Sequence, residues 1–200
     1  WGHVLMDFAT LKSRLYSLIG RYPADICYEL VTADINARLR VREMEATDTL
    51  TEAASVALPS DFLQMISIYR DVDPRTPLSP TDTTGINRAH VTSGTPKTYA
   101  IVDGAILLNP EPDGAEDLII RYYARQADLS ADGDTNDILT NYPSVYVYGV
   151  LAHHAALIRD EKAMAIHGAA YGQHMKLAQS SDTKSRYSGA PIVPTVRTTP

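Results

Sequence analysis

The sequence lacks several features that define familiar functional classes. It contains one cysteine, Cys27, so an internal disulfide is excluded, and a lone thiol is typical of proteins that fold in a reducing cytoplasm. No apolar run approaches the length of a membrane span, and residues 1–5 lack the basic leader and cleavage site of a signal peptide. Basic residues number 18 against 24 acidic ones, and the net charge of −6 argues against nonspecific binding of nucleic acid.

Motifs for nucleotide binding and nucleophilic catalysis are also missing. The sequence has no GxxxxGK[ST] or GxGxxG loop, no GxSxG elbow and no HExxH pair. Four histidines lie in the predicted C-terminal helices, but His153 and His154 point about 100° apart, and His167 and His174 are two turns apart. We therefore expect no catalytic residue, no metal and no cofactor.

An acidic loop over residues 130–137 is the strongest candidate for a cation site. Asp132, Asp134 and Asn136 alternate as in the first half of a calcium loop. Asp137 stands where such a loop needs glycine, and Pro143 stands where it needs a bidentate glutamate. We expect a surface turn instead, in which Asn136 or Thr135 caps the following helix.

Helical periodicity marks both ends of the chain. Residues 7–20 predict one helix, capped by Asp7 and ended by Gly20, and residues 23–40 predict a second. Further helices are predicted from Pro143 and over residues 161–179. Residues at helical spacing predict one apolar face of the second helix, formed by Ile26, Leu30, Ala33 and Ala37 and widened by Ile35 and Leu39.

The middle of the chain has the composition of a sheet. Short β-type runs predict strands over residues 47–52, 62–72, 98–102, 105–108 and 118–125. Asp103-Gly104 predicts a hairpin turn between two of them. Residues 73–96, with three prolines before Pro96, predict a long loop with a short helix near residues 81–88.

The last eighteen residues differ from the rest, because they contain no acidic residue and are rich in proline. They combine positive charge with β-branched apolar side chains, a mixture that favours docking on another chain. The predicted contact residues of this arm are Lys184, Arg186, Tyr187, Pro191, Ile192, Val193, Val196 and Arg197.

The fold class predicted from these patterns is α+β. An N-terminal helix pair (residues 1–43) and C-terminal helices (residues 129–182) form a helical bundle, with an inserted antiparallel β region (residues 44–128) and an extended arm (residues 183–200). Twelve tyrosines against two phenylalanines favour interface-rich surfaces. Further candidate contact residues with a neighbouring subunit or tail protein are Arg38, Arg40, Arg42, Pro77, Tyr146 and Tyr148.

Six stretches, in order, resemble one protein family. They are INARLR at residues 35–40, LPSDFL at 58–63, GTPKTYAI at 94–101, LLNPEP at 107–112, LIIRYYA at 118–124 and YPSVYVYGVL at 142–151. The ordered set resembles the head–tail adaptor proteins of tailed bacteriophages, the group that includes the tail tubular protein A type.

This resemblance implies a structural virion protein at the head–tail junction, assembled in the host cytoplasm. It implies a ring, commonly of twelve copies, that docks under the portal protein, carries a downstream tail or nozzle protein and surrounds passing DNA. It also implies that the C-terminal arm reaches along the portal or a neighbouring subunit, and it gives no reason to expect membrane contact.

Two other functions stay open at this point. A cell-wall-degrading hydrolase would need a paired acid and base in a cleft, and no such pair stands out. A DNA-binding module could use Arg38, Arg40 and Arg42, although basic residues at a helix end also stabilise the helix.

Overall fold

The computed structural model describes residues 6–88 and 93–187. Contacts divide the chain into two compact units. The helical unit comprises residues 1–42 with 129–200, and the β unit comprises residues 43–128. The protein is therefore of mixed α+β class, with the β unit inserted between the two parts of the helical unit.

The helical unit is built around one central helix. Its elements are α1 (Phe8–Ile19), α2 (Asp25–Arg38), α4 (Asp137–Asn141), α5 (Pro143–Leu157) and α6 (Glu161–Tyr187). Helix α3 (Thr83–Arg88) belongs to the β unit. Helix α5 packs against α1, α2, α4 and α6. Its glycine, Gly149, lies where an added Cβ would be 2.8 Å from Val31 of α2 and 3.0 Å from Tyr171 of α6.

Local signals set the ends of α1. The Asp7 side chain accepts a hydrogen bond from the Thr10 backbone N–H, and Gly20 ends the helix in the left-handed conformation at φ 70°. Both predictions for this helix are confirmed. Helix α2 is shorter than predicted, because it begins at Asp25, after Pro23, and its last residue is Arg38.

Helix α6 is longer than predicted. It continues through Tyr187, so residues 183–187 are helical and the predicted start of the extended arm at residue 183 is wrong. The sequence here has neither glycine nor proline before Gly189, so nothing local ends the helix at Gln179. The rest of the predicted arm, residues 188–200, lies outside the described residues.

The β unit contains two sheets that share a core. One has the strand order β1 (Glu45–Thr51), β8 (Asp117–Ala124), β3 (Phe62–Arg70), β4 (Thr76–Pro77). The other has the order β2 (Ser55–Ala57), β7 (Ala105–Asn109), β6 (Thr98–Val102), β5 (Ser79–Pro80). Side chains from both sheets form one apolar cluster that includes Ile68, Tyr99, Ile106 and Ile120.

The predicted antiparallel pairing is confirmed for the named strands except β5 and β6, which pair in parallel. Strands β4 and β5 and helix α3 (Thr83–Arg88) occupy about half of the described part of the predicted long loop. Each of the two short strands ends in proline and lies at a sheet edge, where the missing N–H costs least. The predicted hairpin is confirmed, with Asp103 and Gly104 at φ 49° and 74°.

Candidate interaction surfaces of the helical unit

Exposed apolar side chains are concentrated in the helical unit. Of the twelve large hydrophobic side chains that are exposed among the described residues, ten belong to this unit. They are Tyr16, Leu18, Tyr22, Ile26, Leu30, Leu157, Ile158, Met164, Ile166 and Leu177. Contiguous apolar patches on a protein surface are typical of contacts with another chain, so a helix face that presents several of these side chains is a candidate interaction surface.

The first such surface follows α2. Ile26 and Leu30 are 45% and 39% exposed, and Ala33 and Ala37 are exposed on the same face. We call these four residues the α2 stripe. The prediction that these four residues share one face is confirmed, but Ile35 and Leu39, the residues predicted to widen that face, are fully buried. Sequence reasoning did not identify the face as exposed.

The opposite face of α2 is buried because its polar residues find partners. Cys27, Val31 and Ile35 are fully buried there, together with Thr32. The Thr32 hydroxyl donates to the Tyr28 carbonyl at 3.1 Å and lies 3.3 Å from the Tyr146 hydroxyl. One partner in the same helix and one distant in sequence let a face with a polar residue form the core, and the more uniformly apolar face is exposed.

The second surface follows α6. Tyr171, Met175 and Ala178 are buried on its inner face. On the outer face, Ile166 and Leu177 are 57% and 51% exposed, and Ala169 and Gln173 are exposed between them. We call Ile166, Ala169, Gln173 and Leu177 the α6 stripe. Lys162 and Lys176 are exposed along the same side of the helix.

The two predicted tyrosines of α5 have different positions. Tyr148 is half-buried and stacks on His174, with ring centroids 4.8 Å apart and an interplanar angle of 7°. Tyr146 is fully buried, and its hydroxyl accepts a hydrogen bond from the Asn136 amide at 2.7 Å. Tyr146 has no exposed surface for another chain, so we correct its predicted contact role to a core role.

Basic residues at the C-terminal end of α2 form contacts within the chain. Arg38 pairs with Asp34 one turn earlier at 3.1 Å, while its side chain stays two-thirds exposed. Arg40 donates to the carbonyl oxygens of Asn36 and Leu39 and so closes the end of the helix. The backbone N–H of Arg42 donates to the Asp182 carboxylate at 2.8 Å. The engagement of Arg38 and Arg40 favours the helix-end interpretation over the DNA-binding one.

The remaining predicted contact residues lie elsewhere. Pro77 is exposed in the edge strand β4 of the β unit, where it stands opposite Tyr69. Lys184, Arg186 and Tyr187 belong to the last turns of α6. The other five arm residues, Pro191, Ile192, Val193, Val196 and Arg197, lie outside the described residues.

The acidic loop is a turn and a helix cap. The Asp134 carboxylate accepts hydrogen bonds from the backbone N–H groups of Ala131 and Ser130, which hold the pKa of Asp134 below its ordinary value. The Asn136 side chain accepts from the Leu139 N–H at 2.8 Å and caps α4, as predicted. Within residues 6–88 and 93–187, no group of three or more His, Cys, Asp or Glu residues could hold a metal ion.

A cavity of about 260 Å³ lies beside the C-terminal end of α5. His154 lines it, and among the described residues its Nε2 atom has no hydrogen-bond partner. Burial, and then the nearby Arg21, lower the pKa of His154, so the imidazole stays neutral in the folded protein near neutral pH. Asp160, which also lines the cavity, accepts from the Ala163 N–H and caps α6.

None of the helices in the described part of the chain combines the length and the apolar character that crossing a bilayer requires.

Comparison with known proteins gives the family. A comparison with curated proteins finds no match. The family model described as SU10 adaptor protein matches residues 6–195, which is more than nine-tenths of the chain. This match confirms the resemblance to phage head–tail adaptors at the level of the family, whose members are structural phage proteins. The chain belongs to the SU10 adaptor protein family, and it is a structural adaptor component of a phage virion.

Proposed function

We propose that this protein is a head–tail adaptor whose copies form a ring, with twelve copies expected. The ring joins the portal protein to a downstream tail or nozzle protein and surrounds the DNA exit channel. In this proposal the helices of the helical unit act as one bundle that builds the ring.

The observation that supports the proposal most is the distribution of exposed apolar side chains. Ten of twelve lie on the helical unit, and two of its helices carry apolar stripes on their outer faces. A monomer gains nothing from this surface, whereas subunits of a ring bury it against each other and against the portal.

The net charge fits passage of DNA. With −6 per copy, a ring repels the phosphate backbone more than it attracts it, so DNA crosses without a tight complex that would stall ejection. Binding of duplex DNA by the purified chain, with a steep dependence on salt, would instead support the DNA-binding alternative.

The experiment that tests the adaptor function is a mass measurement of the chain alone and mixed with portal protein. We expect a complex of defined stoichiometry between portal and adaptor, visible by native mass spectrometry and by sedimentation. Failure of the two proteins to associate at micromolar concentration would contradict the proposal.

The C-terminal arm is proposed to dock on the portal. Because α6 continues through Tyr187, a truncation after that residue removes the arm and keeps the helix. We expect the truncated chain to fold and to lose portal binding. A finer test replaces Ile192 and Val196 by serine, with Thr198→Ser and Thr199→Ser as the matched control; equal binding by both variants would contradict an apolar anchor.

A further inference from the structure

The α2 and α6 stripes match each other in length and in shape. Ile26 to Ala37 and Ile166 to Leu177 each span three helical turns, about 17 Å. Each stripe has a large apolar side chain at its start and alanine near its middle, so two such helices can approach closely at the centre.

The charges beside the two stripes are opposite. Asp25 and Glu29 are exposed along one margin of the α2 stripe. Lys162 is exposed on the line of the α6 stripe, one turn before Ile166, and Lys176 is exposed at the margin of the stripe, beside Leu177. Among residues 6–86 and 93–183, whose side chains the structure describes, none of Glu29, Lys162 and Lys176 has an ion-pair partner.

Neighbouring charges of the other sign do not cancel this pattern. Arg38, at the C-terminal end of α2, is already paired with Asp34. Glu161, in the first turn of α6, lies about 140° around the helix from Ile166 and therefore outside the stripe.

From this complementarity we infer that the α2 stripe of one copy packs on the α6 stripe of the next copy. The contact joins two different surfaces of the chain, and a contact of this kind repeats around a ring instead of closing a two-fold dimer. This inference rests on the proposed ring and names the surfaces that hold it together.

Like charges disfavour several two-fold contacts of a stripe with itself. If two α6 helices crossed antiparallel about Ala169, Lys162 of one copy would face Lys176 of the other. If two α2 helices packed in parallel, Asp25 and Glu29 of one copy would face the same residues of the other. Apposed like charges cost affinity, so these two-fold contacts compete poorly with the head-to-tail contact between α2 and α6.

Disulfide cross-linking tests the inference directly. In an antiparallel pair Glu29 would face Lys176, and in a parallel pair Glu29 would face Lys162. In either register Ala37 comes within about one residue of Ala169, which is close enough for a disulfide. The variants are Ala37→Cys and Ala169→Cys, one of them tagged, oxidised separately and as a mixture at high protein concentration. Cys27 is fully buried, and the wild-type chain controls for it.

We expect a cross-linked dimer in the mixture at several times the yield of either variant alone, and a ladder of multimers from the double variant. The matched control is Ala57→Cys, an exposed alanine of strand β2 in the β unit, which should give only background yield with Ala37→Cys. A mixture that does not exceed this background would overturn the inference, and so would self-cross-linking of one variant that equals the mixture.

Charge reversal provides a second readout on the full chain. Glu29→Lys should lower the cross-linking yield about fivefold, since it turns an attraction into a repulsion. Lys176→Glu in the other copy should restore the yield if the helices are antiparallel, and Lys162→Glu should restore it if they are parallel. No loss with Glu29→Lys would overturn the role of these charges.

These outcomes are separable from those of the proposed function. Portal binding and ring formation without the mixed cross-link would leave the adaptor function standing and refute the stripe contact. A cross-linked ladder from a chain that does not bind portal would support the stripe contact and contradict the adaptor function.

Discussion

Gly149 is the position where the packing of the helical unit can be tested with one methyl group. Replacing glycine by alanine inside an exposed helix stabilises it by about 1 kcal/mol. At Gly149 the new Cβ would lie 2.8 and 3.1 Å from the two Cγ atoms of Val31 and 3.0 Å from Cε2 of Tyr171. Ordinary carbon contacts are about 3.5–4.0 Å long, so the neighbours must move.

Neither neighbour can move at low cost. Val31 is fully buried and β-branched, which fixes its rotamer in a helix, and Tyr171 is buried between α5 and α6. Overpacking of this kind costs about 1–3 kcal/mol, which exceeds the gain in helix propensity. We therefore expect Gly149→Ala to lower the free energy of unfolding by about 1 kcal/mol.

The same helices offer matched controls. Gly168 and Gly172 of α6 have no atom within 4 Å of an added Cβ, so alanine there should raise the free energy of unfolding by about 0.5–1 kcal/mol each. Urea unfolding followed by far-ultraviolet circular dichroism measures all three, and a thermal scan should shift by about 2–4 °C per kcal/mol. A Gly149→Ala chain as stable as the wild type would refute the close packing of α2, α5 and α6.

Other perturbations have defined outcomes. Glu52→Ala leaves the buried Arg70 guanidinium without its partner, which it now meets at 2.5 and 3.2 Å, and should cost about 3–5 kcal/mol in urea unfolding. Tyr146→Phe removes the acceptor of the Asn136 amide and should cost about 1–2 kcal/mol by the same assay. The pKa of His154 is lowered by folding, so the unfolded chain binds more protons below about pH 6.5; stability should rise with pH up to that value, and His154→Leu should flatten the rise.

Controls for these substitutions come from exposed positions. Asp71 pairs with Arg75 at the surface, and Asp71→Ala should change stability by less than about 1 kcal/mol. Tyr16 is 47% exposed, and Tyr16→Phe should leave the unfolding midpoint in place. A Glu52→Ala chain that behaves like Asp71→Ala would contradict the importance of the buried pair. A pH dependence that persists in His154→Leu would assign the slope to other groups.

Features with a local cause could be predicted from the sequence. The caps of α1 at Asp7 and Gly20, the hairpin at Asp103-Gly104 and the cap at Asn136 each depend on a few neighbouring residues. The family could be predicted too, because its segments recur in order along the chain.

Features that depend on partners distant in sequence could not be predicted. The buried face of α2 contains Thr32, whose environment includes Tyr146 more than one hundred residues away, and no helical periodicity reports that partner. Helix α2 has apolar side chains on two sides, and periodicity alone cannot tell which side packs against its own chain. Strands β2, β4 and β5 are too short to give an alternating pattern.

The pairing of β1 with β8 has a consequence for how the chain reaches its fold. Glu45 stands opposite Tyr123, so the first and last strands of the β unit bring its entry and exit points together. Closing a loop as long as residues 43–128 costs the helical unit about 4 kcal/mol of chain entropy, and a folded β unit, whose own two ends lie close together, removes part of this cost. The β unit thus contributes to the stability of the helical unit through the closeness of its ends, and a substitution that loosens the pairing of β1 with β8 should destabilise the helical unit as well.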